Sequence, residues 1–277
     1  MKKKLNIISE KIIKDFGSEW QFFDQSKMPY DEKIKVFNQY FSIFPWHLIS
    51  KNSVGFDAGC GSGRWAEIMI KKVRHLHCIE PSQAINVAKK NLTEFNNCTF
   101  YNQKIENMNL NDESMDFGYC LGVLHHIEDS QLALNICVKK IKKNAPFLVY
   151  VYYSIDNRSF FFILFKLVNF FRFFISRMPF KLKLFITNLI SLFVYLPIAR
   201  FCKILNYFNI PINFIPLNFY YDKSFYTMRT DSLDRFGTKY EKRYSKKDIQ
   251  TLLEKAGLSK IIFSNERPFW CVLGYKL

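Results

Sequence analysis

Between Val54 and Tyr153 short apolar runs alternate with stretches in which apolar residues recur every three or four positions. The runs predict strands at 53–57, 75–80, 98–102, 116–121 and 146–153, and the stretches between them predict helices at 64–72, 82–91 and 129–142. That rhythm belongs to a largely parallel sheet covered by helices on both faces. A last helix at 246–256 and strands at 259–264 and 268–275 would complete the sheet with an antiparallel edge hairpin. Ahead of the first strand, Ile8, Ile12 and Phe16 mark an amphipathic helix over 5–16, and a short helix is expected around 32–42. The segment between them, GSEWQFFDQSKMPYDEK, is aromatic and turn-rich, so it should pack over something rather than join a sheet.

The rhythm breaks after residue 156. Residues 157–221 contain no Asp or Glu, yet carry Arg158, Lys166, Arg172, Arg177, Lys181, Lys183, Arg200 and Lys203 among Phe, Leu and Ile. Arg158, Lys166, Asn169, Arg172, Ser176 and Arg177 would line one side of a helix, with Phe161, Leu164, Phe165, Val168, Phe171 and Ile175 on the other. The uncharged run Leu184 to Ala199 is 16 residues long, short of the roughly 20 that cross a bilayer. A helical cap is therefore expected, either covering only its own core or also lying on a membrane. The chain divides into an N-terminal cap (1–45), an α/β core (46–156), a hydrophobic basic insertion (157–221) and a substrate-side segment with the closing helix–strand–strand (222–277).

Net charge is +16, and its distribution decides what it means: +3 for residues 1–156 and +13 for residues 157–277. Basic residues set amid Phe and Leu suit lipid headgroups better than nucleic acid, for which no binding module is evident. The seven cysteines show neither a C-x-x-C pair nor a zinc spacing, and no apolar signal core follows Lys2–Lys4. Reduced thiols, no metal and a cytoplasmic setting are expected, peripheral to the inner face of the membrane if the cap binds lipid.

Chemistry concentrates in VGFDAGCGSGRW, residues 54–65. A dinucleotide turn wants a third glycine at position 64, where Arg64 stands; Gly59, Gly61 and Gly63 are spaced differently. Asp57, at the strand end just before them, is awkward beside a pyrophosphate but suits a cationic group. Glu80 closes the second strand, 21 residues after Gly59, where a carboxylate can accept from two ribose hydroxyls. Together these ask for an adenosine without phosphates and with a cationic tail, which S-adenosylmethionine matches. Lys104 and Ile105 would border the adenine. Leu121 and Gly122 close a further strand where ligands sit in open α/β sheets, and His125 and His126 are expected at the rim of that crevice as general base or substrate contacts.

VGFDAGCGSGRW, IEPSQ and NLNDESMDFGYCLGVLHHIED together resemble the class I S-adenosylmethionine-dependent methyltransferases, in particular the group similar to ubiquinone/menaquinone biosynthesis enzymes. The resemblance is tight over residues 50–153. It implies a Rossmann-like, seven-stranded, mostly parallel sheet with a last antiparallel strand. It further implies that Asp57, Gly59, Cys60 and Gly61 surround the methionine part of the cofactor, that Glu80 binds its ribose and that Leu121 lies beside it. Lys104 departs from the family, which commonly has an acid there.

A sulfonium methyl is already activated, so the protein must chiefly align a nucleophile and exclude water. The expected acceptor is a small or lipid-linked molecule with an oxygen nucleophile, lined by Trp20, Tyr221, Tyr226 and Arg229. A quinone-like ring carbon and a non-catalytic cofactor-binding module are the alternatives.

Overall fold

The computed structural model describes residues 2–154, 160–266 and 270–277. Arg158, and the side chains of Ile8 and Phe161, lie outside the described part. The chain forms two compact units, one of residues 1–25, 33–154 and 241–277, the other of residues 26–32 and 155–240.

The first unit is built on a seven-stranded sheet: β1 (Val54–Ala58), β2 (His75–Ile79), β3 (Cys98–Tyr101), β4 (Phe117–Leu121), β5 (Pro146–Tyr150), β6 (Leu258–Phe263) and β7 (Cys271–Lys276). Their order is β3-β2-β1-β4-β5-β7-β6. The first five run parallel, and β7 is antiparallel to both β5 and β6. The helices are α1 (Lys2–Phe22), α2 (Tyr30–Tyr40), α3 (Ala66–Met69), α4 (Ala84–Asn91), α5 (Ser130–Lys140) and, late in the chain, α10 (Lys246–Lys255). The sheet is buried on both faces, so β4 and β5 read as nearly unbroken apolar runs. Phe56, Ala58, Cys120, Phe147 and Val149 pack with Ala133, Leu134 and Cys137 of α5 and with Ile249 and Leu253 of α10. On the other face Phe41 meets Tyr119 and Phe44 meets Phe117, both edge-on.

One expectation is corrected at the N-terminus: α1 does not end at Phe16 but runs on through the aromatic stretch to Phe22. Gly17, unfavourable inside a helix, is required by a close approach, since a Cβ there would stand 3.2 Å from the backbone nitrogen of Gln83.

The second unit is helical: α6 (Phe160–Ile175), α7 (Phe180–Ile190), a π turn (Ser191–Tyr195), α8 (Leu196–Tyr207) and α9 (Phe225–Gly237). From Phe180 to Tyr207 the helix is continuous over 28 residues, longer than the uncharged run alone suggests. Its inward side is a ladder of Lys183, Thr187, Ser191, Tyr195 and Ala199, all buried. Four α-helical residues overshoot one turn by about 40°. The slower winding of the π turn takes up that drift and keeps the ladder on one face. Ser191 Oγ donates to the carbonyls of Thr187 and, on α9, Met228, and Ser232 Oγ of α9 also donates to Thr187. Arg172 Nε donates to the Thr238 carbonyl at 2.8 Å and Lys183 Nζ to that of Gly237 at 3.2 Å. Two cations thus meet the carbonyl end of α9, where the helix dipole favours them.

The faces of α6 match the expectation in part: Val168 and Ile175 pack into this unit's apolar cluster and Lys166 and Arg177 are exposed, but Arg172, Ser176 and Phe171 depart from it. Arg172 is turned inward to its bond with Thr238 and Ser176 is fully buried, whereas Phe170, Phe171, Phe173 and Phe174 are all about half exposed. The carbonyl end of α9 accounts for the inward Arg172, while Val168 and Ile175 of the same helix are held by apolar packing.

Candidate functional site

Parallel register explains why four polar groups meet at the carboxyl edge of the first unit's sheet. Asp57 of β1 pairs with Cys78 of β2 on one side and with Tyr119 of β4 on the other, so the three side chains share a face. Glu80, two residues after Cys78, falls on the same face. The turn after β1 then carries Gly59, Gly61 and Gly63 at φ of +85°, +53° and +77°. At Gly59 a Cβ would lie 2.4 Å from a methyl of Val123, which ties this turn to the one after β4.

Glu80 is buried and bridges two loops: Gly61 N donates to its Oε2 at 3.1 Å and Ser82 N to its Oε1 at 2.9 Å. Asn102 Nδ2 donates to the Glu80 carbonyl at 2.9 Å, fixing the same corner from β3. Burial raises the Glu80 pKa against the lowering effect of Ser82 and Gly61. The Gly61 amide of the glycine turn is therefore held by Glu80.

Asp57 is 2% exposed and its Oδ2 has no hydrogen-bond partner. Burial pushes its pKa up to about 8, opposed by the Tyr119 hydroxyl and assisted by the charge of Glu80. That hydroxyl is near enough to affect the carboxyl but lies outside hydrogen-bond geometry. A buried, unsatisfied carboxyl of this kind gains most from a cationic ligand. Tyr119 was missed in the sequence because nothing but strand register brings it to Asp57. Arg64, also missed as more than a replaced glycine, stands 5.1 Å from the Trp20 ring and 4.3 Å from that of Trp65, and lowers the Asp57 pKa.

Gly122, at φ +79°, has nothing within 4 Å of where a Cβ would point, so open space lies directly over the backbone. Leu121 is buried beside it, and Ile105 is buried in the main core next to the half-exposed Lys104. Cys60 is enclosed, and its contact with Cys78 and its burial raise its pKa far above the ordinary value, so the thiol stays protonated. Its part in the turn is packing and backbone.

The histidines do not stand at a rim. A short 3-10 turn, Leu124–His126, tucks both inward. His125 is fully buried with its ring stacked on Tyr152 at 3.9 Å, while His126 is 8% exposed and meets Phe16 of α1 at 4.7 Å. Trp20, expected beside an acceptor, lies over the glycine turn: a Cβ on Gly61 would be 3.3 Å from its indole nitrogen. Tyr221, Tyr226 and Arg229 belong to the second unit, where Arg229 Nε donates to Asn188 Oδ1 at 2.8 Å. Among the described residues no group of three or more His, Cys, Asp or Glu is placed to hold a metal ion.

The arrangement fits an adenosine cofactor with a cationic arm: a strand-end acid held by two loops, a buried carboxyl wanting positive charge, and bare backbone at Gly122. Residues 56–149 match the family described as Methyltransferase domain. No curated protein sequence is significantly similar to the chain. Among solved structures, a proposed methyltransferase of Bacillus halodurans is 14% identical, with 82% of this chain and 71% of that one covered at a TM-score of 0.50. The YcgJ protein of Bacillus subtilis is likewise 14% identical, with 82% and 70% covered at a TM-score of 0.51. At such identity the likeness is one of fold. The domain match and the site meet on the same residues, and the chain thus carries over residues 56–149 a methyltransferase domain of the class I, S-adenosylmethionine-dependent kind, which makes it an S-adenosylmethionine-dependent methyltransferase.

Proposed function

We propose that this enzyme transfers the methyl group to a hydroxyl oxygen of a small, lipid-linked acceptor at the inner face of an anionic membrane. The observation that carries the acceptor class is the second unit, whose exposed surface is rich in Phe and Leu while residues 157–221 contain no acid. Bound S-adenosylmethionine supplies an electrophilic methyl on a sulfonium. Glu80 would accept from the ribose hydroxyls while keeping its two loop amides, since each carboxylate oxygen takes two hydrogen bonds. Asp57 would ionise and face the cationic arm, with Gly59, Cys60 and Gly61 giving backbone around it. Gly122 and Leu121 would pass beside the methionine part, and Ile105 and Lys104 beside the adenine. Trp20 of α1 would then close the glycine turn against water. His126, the less enclosed of the two histidines, is the proposed proton acceptor for the hydroxyl, with His125 positioning it. Tyr221, Tyr226 and Arg229 are proposed acceptor contacts.

The test is methyl transfer from labelled cofactor into separated lipids, water-soluble small molecules and RNA of the source cell. Label in the lipid fraction on oxygen supports the proposal. Label on a ring carbon would replace oxygen by carbon chemistry, and label confined to RNA would overturn the acceptor class. Binding of S-adenosylhomocysteine with no turnover in any fraction would leave a non-catalytic module.

A further inference from the structure

The second unit encloses a small apolar cluster, Ile175, Tyr195, Ala199, Met228 and Phe236, and leaves more apolar surface outside than that interior demands. Its inner ladder is Lys183, Thr187, Ser191, Tyr195 and Ala199, satisfied by hydroxyl and carbonyl partners, whereas its outward positions carry large apolar side chains. On the long helix Phe185, Phe193 and Phe201 are 61%, 70% and 55% exposed, and on α6 Leu167, Phe170 and Phe174 are 52%, 59% and 50% exposed. Water-facing helices show the opposite arrangement, and apolar patches of this extent mark an interaction surface. The charges state the partner: Lys166, Lys181, Arg200 and Lys203 are exposed on the same helices and Arg177 in the turn between them, with no acid between residues 157 and 221. An anionic lipid leaflet offers hydrocarbon for the rings and headgroups for the cations. A protein partner covering the same face would need neither the acid-free stretch nor the flanking cations.

Building on the membrane reading above, we infer that α6 and the helix from Phe180 to Tyr207 lie in the plane of one leaflet with their outer rings in its hydrocarbon, rather than resting on headgroups or crossing the bilayer. The uncharged length does not support crossing: Leu184 to Ala199 rises about 24 Å at 1.5 Å per residue, against a hydrocarbon core of roughly 30 Å. Crossing would also carry α9, packed along α7 and bearing Arg229, Asp231, Asp234 and Arg235, into the core. In-plane burial leaves α9 on the water side.

The experiment uses the full chain and vesicles of phosphatidylglycerol and phosphatidylcholine. All four tryptophans lie in the first unit, so Phe193→Trp places a reporter in the second. Lipids brominated along one acyl chain should quench the added fluorescence, most strongly for bromines nearest the headgroup, and attachment once formed should survive 1 M salt. Phe185→Asn with Phe193→Asn should weaken vesicle binding about tenfold or more, with S-adenosylhomocysteine binding unchanged as evidence of an intact fold. Salt-released binding without quenching would overturn the insertion while leaving the membrane reading standing. Strongest quenching at the bilayer centre would favour crossing and overturn it also. Absence of vesicle binding would remove both, as would a lipid-free dimer in which the added tryptophan is shielded from aqueous iodide.

Discussion

Replacing Asp57 by Asn should make the ligand-free protein more stable while depriving it of its cofactor. In the unfolded chain the carboxyl titrates at its ordinary value of 3.8, and in the fold it does so at about 8. Because the folded value is raised, the folded state holds the proton and the unfolded state releases it. Stability is therefore lost as pH climbs from about 4 to about 8 and is constant above that. At pH 7.5 the two values give a penalty on the order of 5 kcal/mol, and the slope is about 1.4 kcal/mol per pH unit. Asn fits the same space, with its amide facing the Tyr119 hydroxyl, and cannot ionise. Urea unfolding of both proteins at pH 5.5, 6.5, 7.5 and 8.5 should show the advantage of the Asn variant growing with pH and levelling above 8. Calorimetric titration with S-adenosylmethionine at pH 7, in buffers of different ionisation enthalpy, should show release of about 0.9 proton by the natural protein and little binding by the variant. A stability difference that does not change between pH 5.5 and 7.5 would refute the account of Asp57 as a buried neutral acid.

Three further outcomes follow from the same geometry. Glu80→Gln, which weakens the bridge between Gly61 and Ser82 and the grip on ribose, should lower S-adenosylhomocysteine affinity about 10- to 100-fold, read by calorimetry. Gly59→Ala and Gly122→Ala share the strain of a positive φ but differ in what the Cβ meets: the first drives it to 2.4 Å from Val123 and should lower the melting temperature more, whereas the second points into open space and should weaken cofactor binding more than its smaller loss of stability explains. His126→Asn should reduce kcat at saturating cofactor without changing cofactor affinity; unchanged kcat would dismiss it as the proton acceptor.

The core was legible because its signals are local. Apolar runs at β1, β2, β4 and β5 and the glycines of 59–63 announce a parallel sheet and its ligand turn without reference to distant residues. Glu80 was legible for the same reason, sitting at a strand end at a known interval from the turn. What could not be read depends on register or on a partner far along the chain. Tyr119 gains its meaning only from lying opposite Asp57. His125 is withdrawn from the crevice by stacking on Tyr152, a contact that no spacing in LHH announces. The place of Arg172 on α6 was misread because helical periodicity assigns basic residues to water, while here the carbonyl end of α9 draws it inward.

The π turn at Ser191–Tyr195 makes the long helix unevenly tolerant of changes in length. Such a turn accommodates one residue more than a regular helix needs, so loss of a single residue there would leave Ala199 and Cys202 pointing where they do now. Loss of one residue at another point of the same helix would swing everything downstream by about 100°, bringing aromatic rings under the bundle and small polar groups out towards its surroundings. Natural length variation in this segment should therefore gather within those five positions.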